Sequence, residues 1–192
     1  MKRVMFVAMA ACLMASVAQA QAPPPAPPAP TDQEMIDRSV LAAPANARAM
    51  AMVVKWAADG SRVVLRPGTN GLVCWDQSVW PHQRPFSAHC TSVANLPRVD
   101  QNREFYLKAP NAKEAELLVQ AAEKAGMRKT PEFGAGNYQL TGNDQATARG
   151  HVTIAVPFAT AETLKLSAKP IASGAWIMDA GTSGAHIMVP GH

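Results

Sequence analysis

The alternation of hydrophobic and polar positions along the chain predicts several short strands before it predicts any long helix. Apolar, β-branched stretches at 50–56 and 61–66 flank the turn residues 57–60, an arrangement typical of a β-hairpin. The turn pairs Pro67-Gly68 and Asn70-Gly71 then lead into a third strand over 72–75. The first part of the globular region is therefore expected to be β-structure.

Helical spacing is strongest near the middle of the chain. Asn111 is a good N-cap, apolar residues follow at helical intervals, and Gly126 ends the pattern, which predicts one strong helix over 111–125. A weaker N-terminal helix is expected to begin at the capping box formed by Thr31 and Glu34 and to end before Pro44.

The remaining segments are shorter or less regular. Residues 76–101, which contain several prolines, are expected to form a long irregular loop, and 105–108 a short strand. Further strands are expected at 137–140, 152–156, 175–178 and 186–189, with one or two helical turns over 160–166. The fold class predicted is α+β, an antiparallel-rich sheet with one strong helix (111–125) and a weaker N-terminal helix.

The chain is predicted to divide into a signal peptide (1–20), a Pro-rich linker (21–30) and a single globular domain (31–192). Lys2 and Arg3 precede an apolar run, and Ala18-Gln19-Ala20 forms a cleavage site, which is the order of a secretory signal. A lipid-attached Cys12 is an alternative, but this residue lies within the apolar run. Nine residues rich in proline at 22–30 favour an extended spacer. The protein is thus expected to be periplasmic or secreted.

Composition adds little about partners. Loss of Lys2 and Arg3 with the signal lowers the formal net charge from +4 to +2, and no dense basic cluster indicates nucleic acid. No later apolar stretch has the length of a membrane span. The expected partner is an unidentified small molecule or protein.

Cysteine use follows from the predicted export. Removal of Cys12 leaves Cys74 and Cys90, and an oxidising compartment favours their pairing as a disulfide. Closing a loop of this length is worth about 3 kcal/mol in the chain-entropy model.

Candidate chemistry is sparse. The sequence has no serine-nucleophile, phosphate-loop, dinucleotide or zinc-protease motif, so no catalytic residue, cofactor or metal is predicted. His151 and His186 each begin an apolar strand that ends at a proline. If these strands were parallel neighbours, the imidazoles would meet at one end of the sheet and could bind a metal or act as acid and base. The alternative is that each caps its strand by bonding to backbone. Trp80, among prolines, completes the candidate binding site.

Three motifs carry a resemblance to a family of small exported bacterial proteins of unknown function. They are Gly68-Thr69-Asn70-Gly71 followed by Cys74, then Gly150-His151, and the tail Gly174-Ala175-Trp176-Ile177-Met178 with Ala185-His186-Ile187-Met188-Val189-Pro190. The chain departs from the family pattern at Leu72, where the family has Trp, and at Ala175, where it has Pro. The resemblance covers about a third of the chain and implies an exported globular domain without implying an activity.

These observations favour a non-enzymatic module that binds a ligand or protein outside the cytoplasm. The alternative is a metal-binding protein or enzyme that uses His151 and His186.

Overall fold

The computed structural model describes residues 29–172 and 174–189, so the predicted signal peptide and most of the predicted linker lie outside the described residues. The fold is α+β. The helices are α1 Asp32–Ser39, α2 Leu96–Lys108, α3 Ala112–Lys124 and α4 Ala161–Leu164. The strands are β1 Met52–Trp56, β2 Arg62–Arg66, β3 Leu72–Asp76, β4 Phe86–Ser92, β5 Gly136–Gly142, β6 Arg149–Ala155, β7 Trp176–Met178 and β8 His186–Met188.

All eight strands form one mixed sheet in the order β2-β1-β3-β4-β5-β6-β8-β7. Neighbouring strands are antiparallel except β1 and β3, which are parallel. The chain returns from β2 to β3 through the loop at Gly68-Thr69-Asn70-Gly71. A Cβ on Gly68 would lie 2.1 Å from the Met52 nitrogen, so this loop can pass β1 only with glycine there. Asn70 fixes the loop by accepting a hydrogen bond from the Leu72 N–H at 3.1 Å.

One face of the sheet is covered by α1 and the 3-10 turn that follows it. The predicted capping box opens α1, because Thr31 and Glu34 exchange side-chain to backbone hydrogen bonds. Beneath this segment, Cys74 and Cys90 lie directly opposite each other on β3 and β4 with their sulfurs 2.09 Å apart. Both are fully buried together with Ala43 and Ala51. The expected disulfide pairing is thus present within the core of this face.

The opposite face is covered by α2 and α3. The predicted helix is confirmed as α3, which is capped by Asn111 and packs against α2. α2 in turn packs on β1 and β3, where the main hydrophobic core forms. This core contains the buried residues Val54, Val73, Trp75, Trp80, Leu96 and Val99. Trp56 and Tyr106 pack against its edge.

Two predictions for the middle of the chain are wrong. Residues 76–101 are not an irregular loop, because they contain the whole of β4 and the first turns of α2. Residues 105–108 are not a strand but the last turn of α2. β4 was missed because its alternation of Phe86, Ala88 and Cys90 with Ser87, His89 and Thr91 was not recognised among the prolines of this segment; all six residues are buried. Pro97 lies at the first turn of α2, where proline is tolerated.

Most other elements agree with the sequence patterns within a few residues. The hairpin, the third strand and the four later strands occur, although β6 begins earlier than predicted, at Arg149. The 160–166 segment forms a single helical turn, α4. Within residues 29–172 and 174–189, no helix combines the length and apolarity needed to cross a bilayer.

Candidate functional site

A cleft of about 960 Å³ lies between the sheet and helices α2 and α3. Its floor is one face of β4, β5 and β6, and its roof is the inner side of the two helices. The β7–β8 hairpin lies at one end. The cleft exists because α2 packs directly on β1 and β3, whereas α3 packs on α2 and leaves the neighbouring strands less covered.

The floor of the cleft is polar. In the sheet register His89 pairs with Gln139, and Gln139 pairs with His151, so these three side chains form a row across β4, β5 and β6. We call them the polar row. Residues two positions away along each strand share this face. They are Ser87, Thr91, Asn137, Thr141 and Thr153, and all line the cleft.

The strands differ in how their polar side chains are satisfied. On β4, the Thr91 hydroxyl donates to the Gly136 carbonyl at 3.0 Å and accepts from Asn95 at 3.0 Å. On β5 and β6, by contrast, the side chains of Asn137, Gln139 and His151 form no hydrogen bond to any other residue of the described chain, and none has a buried orphan atom. Their polar atoms are therefore open to the cleft and available to a ligand.

Ser87 and His89 form a buried pair on the cleft floor. The Ser87 hydroxyl lies 3.0 Å from His89 Nε2, and the imidazole stacks on Trp75 with ring centroids 5.6 Å apart. Burial lowers the pKa of His89 to about 4, so the imidazole is neutral at pH 7. A hydroxyl beside a neutral imidazole is the arrangement of an activated nucleophile. The backbone of β4 itself is hydrogen-bonded to β3 and β5, so the N–H groups of this strand are used within the sheet.

The end of the cleft near the β7–β8 hairpin carries charge. Arg98 of α2 and Arg128, which follows α3, line it together with Glu123 of α3. Both oxygens of Glu123 accept hydrogen bonds from Ser183, from its N–H at 2.6 Å and its hydroxyl at 2.5 Å. Burial raises the pKa of Glu123, but these bonds and Arg98 and Arg128 outweigh burial, and the net pKa is lowered.

Trp80 lies at the other end of the cleft, where the hydrophobic core begins. It is only 6% exposed and packs against Trp56, with ring centroids 5.2 Å apart, and against Trp75 at 6.4 Å. Trp80 therefore belongs both to the wall of the cleft and to the hydrophobic core. Trp80 can shape that end of the cleft but presents little aromatic surface to a ligand.

The parallel register that would bring His151 and His186 together does not occur. β6 and β8 are neighbours, but they are antiparallel, and His186 pairs with Ala155 rather than with His151. His151 therefore lies four residues away along β6, about 13 Å at the rise of a strand. A histidine at the start of each strand and a proline after its end do not determine whether the two strands are parallel or antiparallel. Both histidines nevertheless line the same cleft.

The two histidines differ in their bonding. The His186 Nδ1–H donates to the Gly184 carbonyl at 2.8 Å, which is the backbone-bonded alternative considered from the sequence. His82 and His89 are also hydrogen-bonded, so His151 is the one histidine among the described residues without such a bond. His151 is half-buried on the floor of the cleft. Of the candidates, it has the side chain best placed to meet a ligand.

Several lining residues were not singled out from the sequence. Gln139, Asn137, Arg98 and Arg128 belong to this group, as does Ser87. The signal that could have found them is the strict alternation of polar and apolar residues in 86–91 and 137–141, which a sheet with one polar face requires. The two arginines have no such signal, because only the packing of α2 on α3 brings them together.

In the described ranges, no three His, Cys, Asp or Glu side chains group in a way that could hold a metal ion. Comparisons with protein-family models, with curated proteins and with solved structures each find no match to this chain.

Proposed function

We propose that this protein is a non-enzymatic binding domain that works outside the cytoplasm and takes a small polar molecule into the cleft. The observation that supports this most strongly is the polar floor under two helices. A sheet face covered by helices normally buries apolar side chains. Here β4, β5 and β6 present polar ones, and those of β5 and β6 keep their hydrogen-bonding groups unused by the described protein.

Stability does not account for this arrangement. Polar side chains on a sheet face covered by helices forgo the free energy of apolar burial, and such local violations occur chiefly at functional sites. A cleft of this volume is within the size range of small-molecule sites. The ligand class follows from the floor: amide, imidazole and hydroxyl groups recognise a molecule with several hydrogen-bond donors and acceptors.

Export is part of the same proposal. It is supported by the secretory order of residues 1–20, by the disulfide between Cys74 and Cys90, and by the partial resemblance to an exported family. The intact mass of protein recovered from the compartment outside the cytoplasm should correspond to a chain beginning at Gln21. A lipid-sized adduct on Cys12, or a chain that keeps residues 1–20, would contradict this.

Binding can be tested with a set of neutral polar fragments by ligand-observed NMR. We expect fragments to bind the wild type, and to lose binding in the Gln139→Leu and His151→Leu variants, because these remove hydrogen-bonding groups from the polar row. Val152→Leu is the matched control, since Val152 is next to His151 but points to the opposite face of the sheet. Fragment binding in Gln139→Leu and His151→Leu that equals binding in the wild type and in Val152→Leu would overturn the proposal.

A further inference from the structure

Arg98 and Arg128 are partly buried and line the charged end of the cleft. Arg38 and Arg62 pair with Asp76 and Asp100 at 3.2 and 3.3 Å. Within the described chain, no carboxylate oxygen lies within the 4.0 Å ion-pair distance of Arg98 or Arg128. Glu123 is the acidic residue that acts on both arginines, and its two carboxylate oxygens accept hydrogen bonds from Ser183.

The bonds that the two arginines do make are to neutral groups. Arg98 donates to the Lys129 carbonyl and, at 3.1 Å, to the Ser183 hydroxyl. Arg128 donates to the Gln101 side-chain oxygen at 3.1 Å, and its guanidinium lies over the Phe105 ring at 5.5 Å. The Arg128 Nε is buried without any partner among the described residues. These contacts orient both guanidinium groups but neutralise neither.

The two charges also act on each other. Burial lowers the pKa of both arginines, and the proximity of Arg98 lowers that of Arg128 further, to about 10. Glu123 acts on both arginines and Asp179 on Arg98, but these carboxylates offset the effects of burial and mutual repulsion only in part, so a further anion beside the two guanidinium groups is favourable. The cleft as a whole has four cationic side chains, Arg84, Arg98, Lys124 and Arg128, against the three carboxylates Glu116, Glu123 and Asp179.

We propose that Arg98 and Arg128 form an anion subsite, so that the ligand of this cleft carries a carboxylate or phosphate group at the end near the β7–β8 hairpin. Guanidinium groups match the geometry of both oxyanions. The ligand would then be a small polar molecule with one acidic end, its neutral part over the polar row and its anion between the arginines. This inference rests on the proposed binding function and narrows its ligand class.

The test is titration of the folded domain with inorganic phosphate and, separately, with acetate, each against chloride at matched ionic strength. The readout is NMR of backbone amides and arginine Nε–H groups. We expect saturable shifts at Arg98, Gln101 and Arg128 with at least one of the two anions. The preferred anion distinguishes a phosphate-bearing ligand from a carboxylate-bearing one. Shifts no larger than those with chloride, or shifts centred elsewhere, would overturn the inference.

Variants sharpen this result. Arg128→Gln should weaken binding of that anion at least tenfold, and Arg128→Lys should weaken it less because the charge remains. Arg62→Gln, which removes a paired arginine outside the cleft, should change affinity less than twofold. Equal binding in Arg128→Gln and the wild type would contradict the inference. Mapping on the wild type decides the matter even if a variant does not fold.

The outcome is separable from that of the fragment experiment. Neutral fragments bound over Gln139 and His151, with no specific anion effect, would overturn the anion subsite and leave the proposed function intact. Anion binding at Arg98 and Arg128 with no fragment bound over the polar row would support the anion subsite and overturn the proposed binding of a neutral polar group.

Discussion

On the sheet face covered by α2 and α3, the strands β1 and β3 carry apolar side chains, whereas β4, β5 and β6 carry polar ones. We call these the packed half and the polar half. The boundary is visible in one line across the sheet, because Trp75 pairs with His89, and Gln139 and His151 follow. Trp75 is 4% exposed in the main core, and Gln139 and His151 are half-buried over the cleft.

The difference indicates a division of labour within one continuous sheet. The packed half supplies buried apolar area, which is the main source of folding free energy. The polar half supplies hydrogen-bonding groups at fixed spacing on rigid strands, which suits recognition more than stability.

The largest effect is expected in the packed half. Trp75→Ala should lower the free energy of unfolding by about 3–5 kcal/mol, because it opens a large cavity among Trp56, Trp80 and His89. Gln139→Ala, two strands away in the same line, should change it by less than about 1 kcal/mol. Urea denaturation of both variants measures these free energies of unfolding. Similar losses in the two variants would contradict the difference between the packed half and the polar half.

The boundary residue His89 should make stability depend on pH. Its pKa is lowered from 6.5 in the unfolded chain to about 4 in the folded protein by burial. The unfolded state therefore binds the extra proton first as pH falls. The stabilising contribution is complete above about pH 6.5 and is lost as pH falls through about 4, a change on the order of 3 kcal/mol.

Unfolding free energies measured between pH 7 and pH 4 test this. The difference between wild type and His89→Gln isolates the histidine from the carboxylates that titrate in the same range. A difference that stays constant across this range would show that His89 is not buried as a neutral imidazole.

The disulfide tests the other face of the sheet. Reduction of Cys74–Cys90, or its replacement by Cys74→Ala with Cys90→Ala, should cost about 3 kcal/mol. Because this bridge lies opposite the cleft, fragment binding to the folded reduced protein should not change. Two free thiols titrated in native, non-reduced protein would contradict the pairing.

The elements that the sequence predicted well are those with apolar periodicity or helix caps, and the strand that it missed, β4, belongs to the polar half. Segments with apolar periodicity or caps, such as β1, β3, α1 and α3, were predicted within a few residues, because local signals determine them. β4 was missed because its alternation of apolar and polar residues was not recognised among the prolines of this segment, so a buried strand was mistaken for a loop. For α2, the residues around Phe105 and Leu107 were predicted to be a strand, but they form the last turn of the helix that packs on β1 and β3.

The candidate site was predicted only in part. His151, His186 and Trp80 all line the cleft, but the sequence could not show that β6 and β8 run antiparallel, and this direction separates the two histidines. The polar row depends on the register between β4 and β5, which are distant in sequence. The proximity of Arg98 and Arg128 depends on how two helices pack.

The central claim is that the polar half is maintained for binding and not for the fold. The most direct measurement is the free energy of unfolding of the double variant Gln139→Leu/His151→Leu, from urea denaturation at pH 7. Because neither side chain is hydrogen-bonded to other described residues, the account predicts equal or greater stability than the wild type, with an unchanged dependence on urea. A loss of more than about 1.5 kcal/mol would show that the polar row stabilises the fold, and would contradict the account.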